Sequence, residues 1–439
     1  MISEQLLHFI WKFRLYQTDK LALASGESLE VISPGTHNKH SGPDFQNARI
    51  KIGNTLWAGN VELHIRSSDW YRHKHETDAA YHTVILHVVA IHDMDVFDLN
   101  NQVIPVIELK SFIKESLLQR WEELSGSMFP IPCAALGRPD VITMQNWLDR
   151  LVTERLEEKS SRIRQLLSLT KNDWTEALYC FIFRSVGMQL NAVPFELLAR
   201  STPYRILLNY KQSQFQLEAL LYGQSGLLHS EHEDEYLQAL WNEYRFLARK
   251  HKLKPIEKHL WKFLRLRPMN FPTVRISQLA NLISKHSISP ENFREMGSLK
   301  EWVNWFDMEC SPYWDEHYVM DHFSTKKKKH FGKSASQSLL MNAIVPFLFV
   351  YATHRGDEEL RDRVLEVLYQ LPPEKNVILE VWNQFGIQPD TAAASQGLIQ
   401  LKTNYCDSRR CLECAVGHRL LKEETRREPL SSNGKVPTF

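Results

Sequence analysis

Two alternating runs joined by a short turn constrain the fold of this 439-residue chain more than any other feature. Polar and apolar residues alternate from Asn47 to Ile52, and they alternate again from Asn60 to Arg66. Because successive side chains of a strand point to opposite faces, residues two apart share one face. Gly53-Asn54 suits a hairpin turn between the runs. The pattern predicts a β-hairpin whose second strand has one apolar and one polar face.

The polar face of the second strand gathers four side chains, those of Asn60, Glu62, His64 and Arg66. Asp44 directly precedes the first strand, so we expect its carboxylate to lie close to Glu62. Two carboxylates are ligands that Mg²⁺ or Mn²⁺ prefers. Such an ion lowers the pKa of a bound water and neutralises charge during phosphodiester hydrolysis. The hairpin therefore predicts a divalent-metal site.

The Pro43-Asp44 dipeptide, followed by Glu62-x-His64 on the next strand, resembles the motif of the PD-(D/E)xK, restriction-endonuclease-like superfamily. His64 stands where that motif has lysine. The order of elements is also similar, with a helix near residues 3–15, the hairpin, a short helical stretch near 69–80 and an apolar strand at 83–90. The DW, HxH and ILHVV segments also resemble an uncharacterised bacterial family known only as a domain of unknown function.

The nuclease resemblance covers about the first quarter of the chain, and it implies metal-dependent cleavage of DNA or RNA. It assigns Asp44 and Glu62 to Mg²⁺ or Mn²⁺, and His64 to orienting or activating the attacking water. Asn60 and Arg66 become candidates for positioning the substrate. A first-helix glutamate, here Glu4, completes the site in some members of the superfamily.

Histidines are concentrated in the same region, because nine of the 19 precede residue 93. His73 and His75 are potential ligands or proton carriers, whereas His82, His87 and His92 flank or interrupt a buried strand and are also compatible with core positions. A zinc hydrolase that uses His64, His73 or His75 is therefore an alternative function.

A second motif lies near the other end of the chain, where three cysteines and a histidine have the spacing C-x4-C-x2-C-x3-H. They are Cys406, Cys411, Cys414 and His418. This set matches a structural zinc site. An iron–sulfur cluster is the alternative. Some exonuclease-like members of the resembled superfamily bind such a cluster with one distant cysteine, which implies Cys133, Cys180 or Cys310 here.

An α+β protein is predicted, because the resemblance implies a restriction-endonuclease-like α/β domain over residues 1–125 and the patterning predicts a large, mostly α-helical domain over 140–400. The metal-binding motif at 401–420 and a polar tail at 421–439 follow. The chain is 43% hydrophobic, which suits two or three globular domains. The N-terminal sequence lacks the pattern of a signal peptide, and the longest apolar run, 339–352, is too short to cross a bilayer. We expect a cytoplasmic protein with no membrane partner.

The net charge of +1 does not indicate nucleic-acid binding, so any such binding must depend on local patches. Arg265, Arg267 and Arg275 accompany aromatic residues in the helical region and are candidate phosphate contacts. An arginine network that holds helices together is the alternative. A catalytically inactive module that binds nucleic acid or protein is the main competitor of the nuclease hypothesis.

Overall fold

A computed structural model describes residues 2–38, 40–137 and 139–423 of the chain. The chain divides into two compact units. Unit 1 comprises Met1–Trp147, Glu380–Gln388 and Leu401–Phe439, and unit 2 comprises Leu148–Leu379 and Pro389–Gln400. Residues 424–439 of the predicted polar tail lie outside the described residues. The architecture is mixed α+β, with a mixed sheet in unit 1 and many helices.

The N-terminal part of unit 1 is built around a six-stranded sheet. Its elements are α1 (Glu4–Lys12), β1 (Leu29–Ser33), β2 (Thr36–His37), β3 (Phe45–Ile52), β4 (Thr55–Arg66), α2 (Asp69–Arg72), β5 (Val84–Ile91), β6 (Val106–Glu108) and α3 (Glu115–Ser125). The strand order is β1-β3-β4-β5-β6, and β2 also pairs with β3. The β3–β4 pair is antiparallel, whereas β4–β5 and β5–β6 are parallel.

The predicted hairpin is confirmed, because Ile52 pairs with Thr55 across the Gly53-Asn54 turn. A β-bulge interrupts the start of β3, where Phe45 pairs with Val61 but Ala48 pairs with Gly59. Asn47 supplies the extra residue in a left-handed conformation with φ 58°. This bulge shapes the strand immediately after Asp44.

Both faces of the central strand β4 are covered. Val61 and Leu63 are fully buried, as the alternation predicts, but Glu62 and His64 on the polar face are only 5% and 2% exposed. Helix α1 begins at an N-cap, Ser3, whose side chain accepts a hydrogen bond from the backbone N–H of Leu6 at 3.2 Å. The helix packs on β4. The part of the polar face that carries Glu62 and His64 is therefore interior.

The rest of the chain is mostly helical. In chain order the remaining elements are α4 (Val141–Leu169), α5 (Trp174–Val186), α6 (Met188–Ser201), α7 (Tyr204–Leu208), α8 (Gln214–Gln224), α9 (Glu235–His251), α10 (Pro272–Lys285), α11 (Pro290–Glu295), α12 (Leu299–Asn304), β7 (His317–Val319), β8 (His322–Phe323), α13 (Lys333–Leu339), α14 (Val345–Arg355), α15 (Glu358–Gln370), α16 (Val377–Gln384), α17 (Ala392–Gln400) and α18 (Ala415–Lys422). The helices of unit 2 bury one continuous apolar core.

Among the described residues, one segment, Lys333–Arg355, is long and apolar enough to cross a membrane. Its most apolar window is 78% buried within the protein. Phe347 and Leu348, for example, belong to the core of unit 2. This burial is the environment of a core helix rather than of a lipid-facing one.

Candidate functional site

The two carboxylates singled out by the hairpin lie beside each other where β3 starts along β4. The backbone N–H of Asp44 donates to Oε2 of Glu62 at 3.0 Å, and the backbone N–H of Leu63 donates to Oδ2 of Asp44, also at 3.0 Å. The backbone of Asp44 thus holds the Glu62 carboxylate, and the backbone of Leu63, the residue after Glu62, holds the Asp44 carboxylate. The structure brings the predicted pair together.

Three imidazoles converge beside Glu62. One ring nitrogen from each of His64, His73 and His75 lies within 4.8 Å of the other two. Nε2 of His64 is 3.0 Å from Nδ1 of His73 and 3.6 Å from Oε1 of Glu62. Nε2 of His75 is 3.3 Å from the same Glu62 oxygen. We call these three histidines with Asp44 and Glu62 the histidine–carboxylate cluster.

The segment after β4 explains why His73 and His75 face the sheet. Helix α2 ends at Arg72, and Lys74 takes a left-handed conformation with φ 61° before a 3₁₀ turn at His75–Thr77. The ring of Tyr81 stacks on His75 with 3.8 Å between centroids. Trp70 packs edge-on against the same imidazole and donates its indole N–H to the carbonyl of Phe97 at 3.2 Å. An aromatic wall therefore holds His75 against Glu62.

His87 lies behind His64 in a second layer. Glu62 and His87 are neighbours in the parallel β4–β5 register, and His87 is fully buried. Nε2 of His87 is 2.9 Å from Nδ1 of His64. A second-layer partner of this kind fixes the orientation and the tautomer of a ligating histidine.

Helix α1 contributes a further histidine to the site. Nε2 of His8 is 3.2 Å from Oδ2 of Asp44. Glu4, the first-helix carboxylate that the nuclease resemblance implies, is exposed. The first helix therefore reaches the carboxylate pair through His8.

Burial and the neighbouring charges determine the protonation of the cluster. Burial, with the charges of His73 and His75, lowers the pKa of His64 to about 3. Burial raises the pKa of Glu62, and the charge of Asp44 adds to this effect while His75 opposes it. Burial lowers the pKa of His8, but the hydrogen bond and the charge of Asp44 outweigh it and the net shift is upward. At neutral pH His64 is therefore a neutral imidazole.

The donor set fits a divalent ion. Nε2 of His75 is buried and lies 3.3 Å from Oε1 of Glu62, so an imidazole nitrogen and a carboxylate oxygen face each other inside the protein. A neutral imidazole with a free lone pair is a metal ligand. Mixed imidazole and carboxylate donors suit Mn²⁺, Fe²⁺ or Zn²⁺, whereas a set made only of oxygens suits Mg²⁺. His64, His73, His75, Asp44 and Glu62 could hold such an ion.

The other strand residues proposed for substrate contact lie at the two ends of the polar face. Asn60 joins three strand segments, because its Oδ1 accepts from the backbone N–H of Asn47 at 3.2 Å and its Nδ2 donates to Thr83 Oγ1 at 2.7 Å. Arg66 is exposed and pairs with Asp93 at 3.6 Å. The side chain of Asn60 thus holds neighbouring strand segments together, whereas the side chain of Arg66 is open to solvent.

The three candidate arginines belong to unit 2 and differ in environment. Arg265 and Arg267 are exposed, and Arg265 has a left-handed backbone with φ 63°. Arg275 is buried, and its guanidinium donates to Gln278 Oε1 at 2.8 Å and to Asn270 Oδ1 at 2.6 Å. Burial lowers its pKa to about 10. The contacts of Arg275 match the alternative of an arginine that holds the helical unit together.

The C-terminal motif lies in unit 1. Cys406 and Cys414 are buried, and Cys411 is partly buried between them in the chain. Nε2 of His418 is hydrogen-bonded to the carbonyl oxygen of Leu412. Its ring packs on Phe9 and Phe13, with centroids 4.8 and 4.9 Å away.

His8 and His87 belong to the site although no sequence motif predicted them there. His8 interrupts an otherwise apolar helical run, LLHFIW. A polar residue inside such a run needs either exposure or a polar partner. This pattern predicts a polar partner for His8. The pairing of His87 with His64 depends instead on the register of two parallel strands.

The fold and the cluster define an α+β protein with a buried histidine–carboxylate site on a mixed sheet. The chain belongs to the family described as "Protein of unknown function (DUF2851)", whose match covers residues 4–377. The matched residues include the whole histidine–carboxylate cluster. Cys406, Cys411 and Cys414 lie after the matched range. No curated protein and no solved structure matches the chain.

Proposed function

We propose that the protein is a divalent-metal-dependent hydrolase that cleaves phosphodiester bonds of DNA or RNA. The observation that carries the proposal is the convergence of three imidazole nitrogens within 4.8 Å beside two interlocked carboxylates. The resemblance of Pro43-Asp44 and Glu62-x-His64 to the PD-(D/E)xK motif supports the substrate class. The order helix, hairpin, short helices and buried strand adds to this support.

The residues of the cluster have distinct roles in this proposal. Asp44 and Glu62 supply carboxylate ligands, and His64, His73 and His75 supply nitrogen ligands. A pKa of about 3 suits His64 as a neutral ligand and makes it a weak base at neutral pH. When bound, the ion would polarise the phosphoryl oxygen and lower the pKa of a water ligand.

In this proposal His8 carries a proton, and His73 marks the side from which the substrate reaches the site. His73 is the exposed member of the triad, so the side on which it lies is the side from which water and substrate enter. The pKa of His8 is raised beside Asp44, and this imidazole can carry a proton next to the carboxylate pair. His87 orients His64 and does not touch the substrate.

The test is cleavage of labelled single- and double-stranded DNA and RNA by chelator-treated protein with added Mn²⁺, Mg²⁺ or Zn²⁺. We expect cleavage by the wild type with at least one ion and none by Asp44→Ala. His82→Ala is the matched control, because His82 is an exposed histidine of the same unit outside the cluster. Cleavage by Asp44→Ala at the wild-type rate would contradict the proposal.

A zinc hydrolase is the second candidate function, because His73 and His75 add nitrogen ligands to those on the hairpin. Activity that is restored by Zn²⁺ on an ester or amide substrate, without cleavage of any nucleic acid, favours this candidate. A protein that binds nucleic acid or another protein without turnover under any ion favours the inactive module.

A further inference from the structure

Four cysteines of unit 1 line one enclosed cavity. The cavity has a volume of about 20 Å³, and its walls include Cys133, Cys406, Cys411 and Cys414. The rest of the lining is almost entirely carbon, for example from Ile131, Trp382 and Leu401. Cys133 lies far from the other three in sequence, so the fold has brought it to them.

The four cysteines are held by short turns and by one helix end. Cys133 lies in a 3₁₀ turn at Pro132–Leu136, and Cys406 ends a π-helical turn at Leu401–Cys406. Cys411 begins another 3₁₀ turn, and Cys414 follows that turn as the N-cap residue of α18. π-Helical turns are rare and are frequent at functional sites. Three backbone turns and the start of α18 thus bring the four cysteines to one cavity.

The loop from Cys411 to Gly417 is shaped to receive a thiolate. The backbone N–H groups of Val416 and Gly417 donate to the sulfur of Cys414, as expected at the N-terminus of a helix. A Cβ atom on Gly417 would come within 2.2 Å of the carbonyl oxygen of Cys411. Glycine is therefore required where the two-cysteine loop folds back on α18.

The four cysteines meet in an apolar environment, because the rest of the cavity wall is almost entirely carbon. Four thiolates in such a cavity would require a cation, because buried charges of one sign repel strongly.

We propose that Cys133, Cys406, Cys411 and Cys414 bind a soft metal centre through four thiolates. Cys133 takes the place that the sequence spacing gives to His418, whose imidazole is hydrogen-bonded to a backbone carbonyl and packed against two phenylalanines. Thiolate ligands of this kind hold an iron–sulfur cluster or a single Zn²⁺. This inference is independent of the proposed hydrolase function.

The test is metal and acid-labile sulfide analysis of the full chain, purified without oxygen. We expect about four iron and four sulfide per chain for a cubane cluster, or about one zinc for a single ion. Iron with sulfide supports a cluster at the four cysteines. One zinc supports the four-cysteine site only if the Asp44→Ala/Glu62→Ala variant retains it, because the histidine–carboxylate cluster could also bind zinc. A wild-type protein without stoichiometric iron or zinc overturns the proposal.

Three single substitutions separate the possible ligand sets. The Cys133→Ser variant is expected to bind at least about ten-fold less metal per chain than the wild type, because a hydroxyl is a poor substitute for a thiolate. His418→Ala and Cys310→Ser are expected to retain it, since Cys310 is a cysteine of unit 2 outside this cavity. Retention by Cys133→Ser together with loss by His418→Ala overturns the assignment.

Thiol alkylation of the wild type keeps the test informative if Cys133→Ser does not fold. Mass spectrometry after native alkylation should find all four cysteines protected before metal removal, and all four modified after oxidation and chelation. Modification of Cys133 at the same rate before and after metal removal contradicts its role as a ligand.

Discussion

Two buried glutamates, one in each unit, show how different surroundings give the same residue different uses. Glu218 on α8 is fully buried, and its carboxylate accepts hydrogen bonds from Ser277 at 2.5 Å, from Ser311 at 2.9 Å and from Tyr236. Glu62 on β4 is almost as buried, but it faces a second carboxylate and imidazoles. Burial raises the pKa of both.

The difference lies in what satisfies each carboxylate. Neutral hydroxyl groups surround Glu218, so its network is complete without any added group. Glu62 shares its site with a second carboxylate, that of Asp44, and with the imidazoles of His64 and His75. Two carboxylates buried side by side cost stability, and such an arrangement is typical of sites that bind something. We therefore interpret Glu218 as structural and Glu62 as functional.

The largest expected effect is on turnover. Glu62→Gln should lower the metal-dependent rate by at least about 1,000-fold, because an amide does not replace a charged metal ligand. Glu218→Gln should leave the rate within a factor of about three, since Glu218 is not a member of the cluster and the amide oxygen still accepts the hydrogen bonds made to one of the two carboxylate oxygens. The measurement is single-turnover cleavage with Mn²⁺. Equal losses in both variants would remove the distinction between the two glutamates.

Stability should show the reverse ranking. Glu218→Ala should lower the free energy of unfolding by about 3 kcal/mol, because it leaves buried hydroxyls without an acceptor and opens a cavity. Glu62→Gln should leave the stability of chelator-treated protein unchanged or raise it by about 1 kcal/mol, because it relieves repulsion from Asp44. Urea unfolding at pH 8 measures both. A loss of several kcal/mol in Glu62→Gln would make Glu62 structural as well.

The pH dependence of stability tests the buried histidine. The pKa of His64 falls from 6.5 to about 3 on folding, so the unfolded chain binds more protons between these pH values. His64 therefore contributes stability above pH 6.5, and this contribution is lost as the pH falls toward 3. One such group gives a slope of about 1.4 kcal/mol per pH unit. His64→Gln should lower the slope of urea-unfolding free energy against pH by that amount, and an unchanged slope would contradict the burial of His64 in neutral form.

The smallest expected effect concerns His8. His8→Gln should weaken Mn²⁺ binding by about ten-fold, because His8 holds Asp44 and is not itself assigned as a ligand. His40→Gln is a control, since His40 is exposed. A loss as large as that of Asp44→Ala would instead place His8 among the ligands.

The sequence predicts the hairpin well because alternation with period two and a Gly-Asn turn act locally. The predicted strand at 83–90 matches β5 to within one residue, since its apolar run reflects coverage on both faces. The approach of Asp44 to Glu62 follows from the same hairpin register.

The rest of the site depends on contacts between segments that are distant in sequence. His8 reaches Asp44 only because α1 packs on β4, and His87 reaches His64 only through the parallel register of β4 and β5. The orientation of His73 and His75 depends on a left-handed residue, Lys74, which no local rule predicts. Cys133 meets Cys406 through the fold of unit 1.

The most direct test of the central claim is a calorimetric titration of Mn²⁺ into chelator-treated wild type, the Asp44→Ala/Glu62→Ala double variant and His82→Ala. Mn²⁺ is chosen because it disfavours thiolate ligands, so the cysteine cavity does not compete. We predict one site per chain in the wild type and in His82→Ala, and no binding in the double variant. Identical traces for all three proteins would contradict a metal site at the histidine–carboxylate cluster.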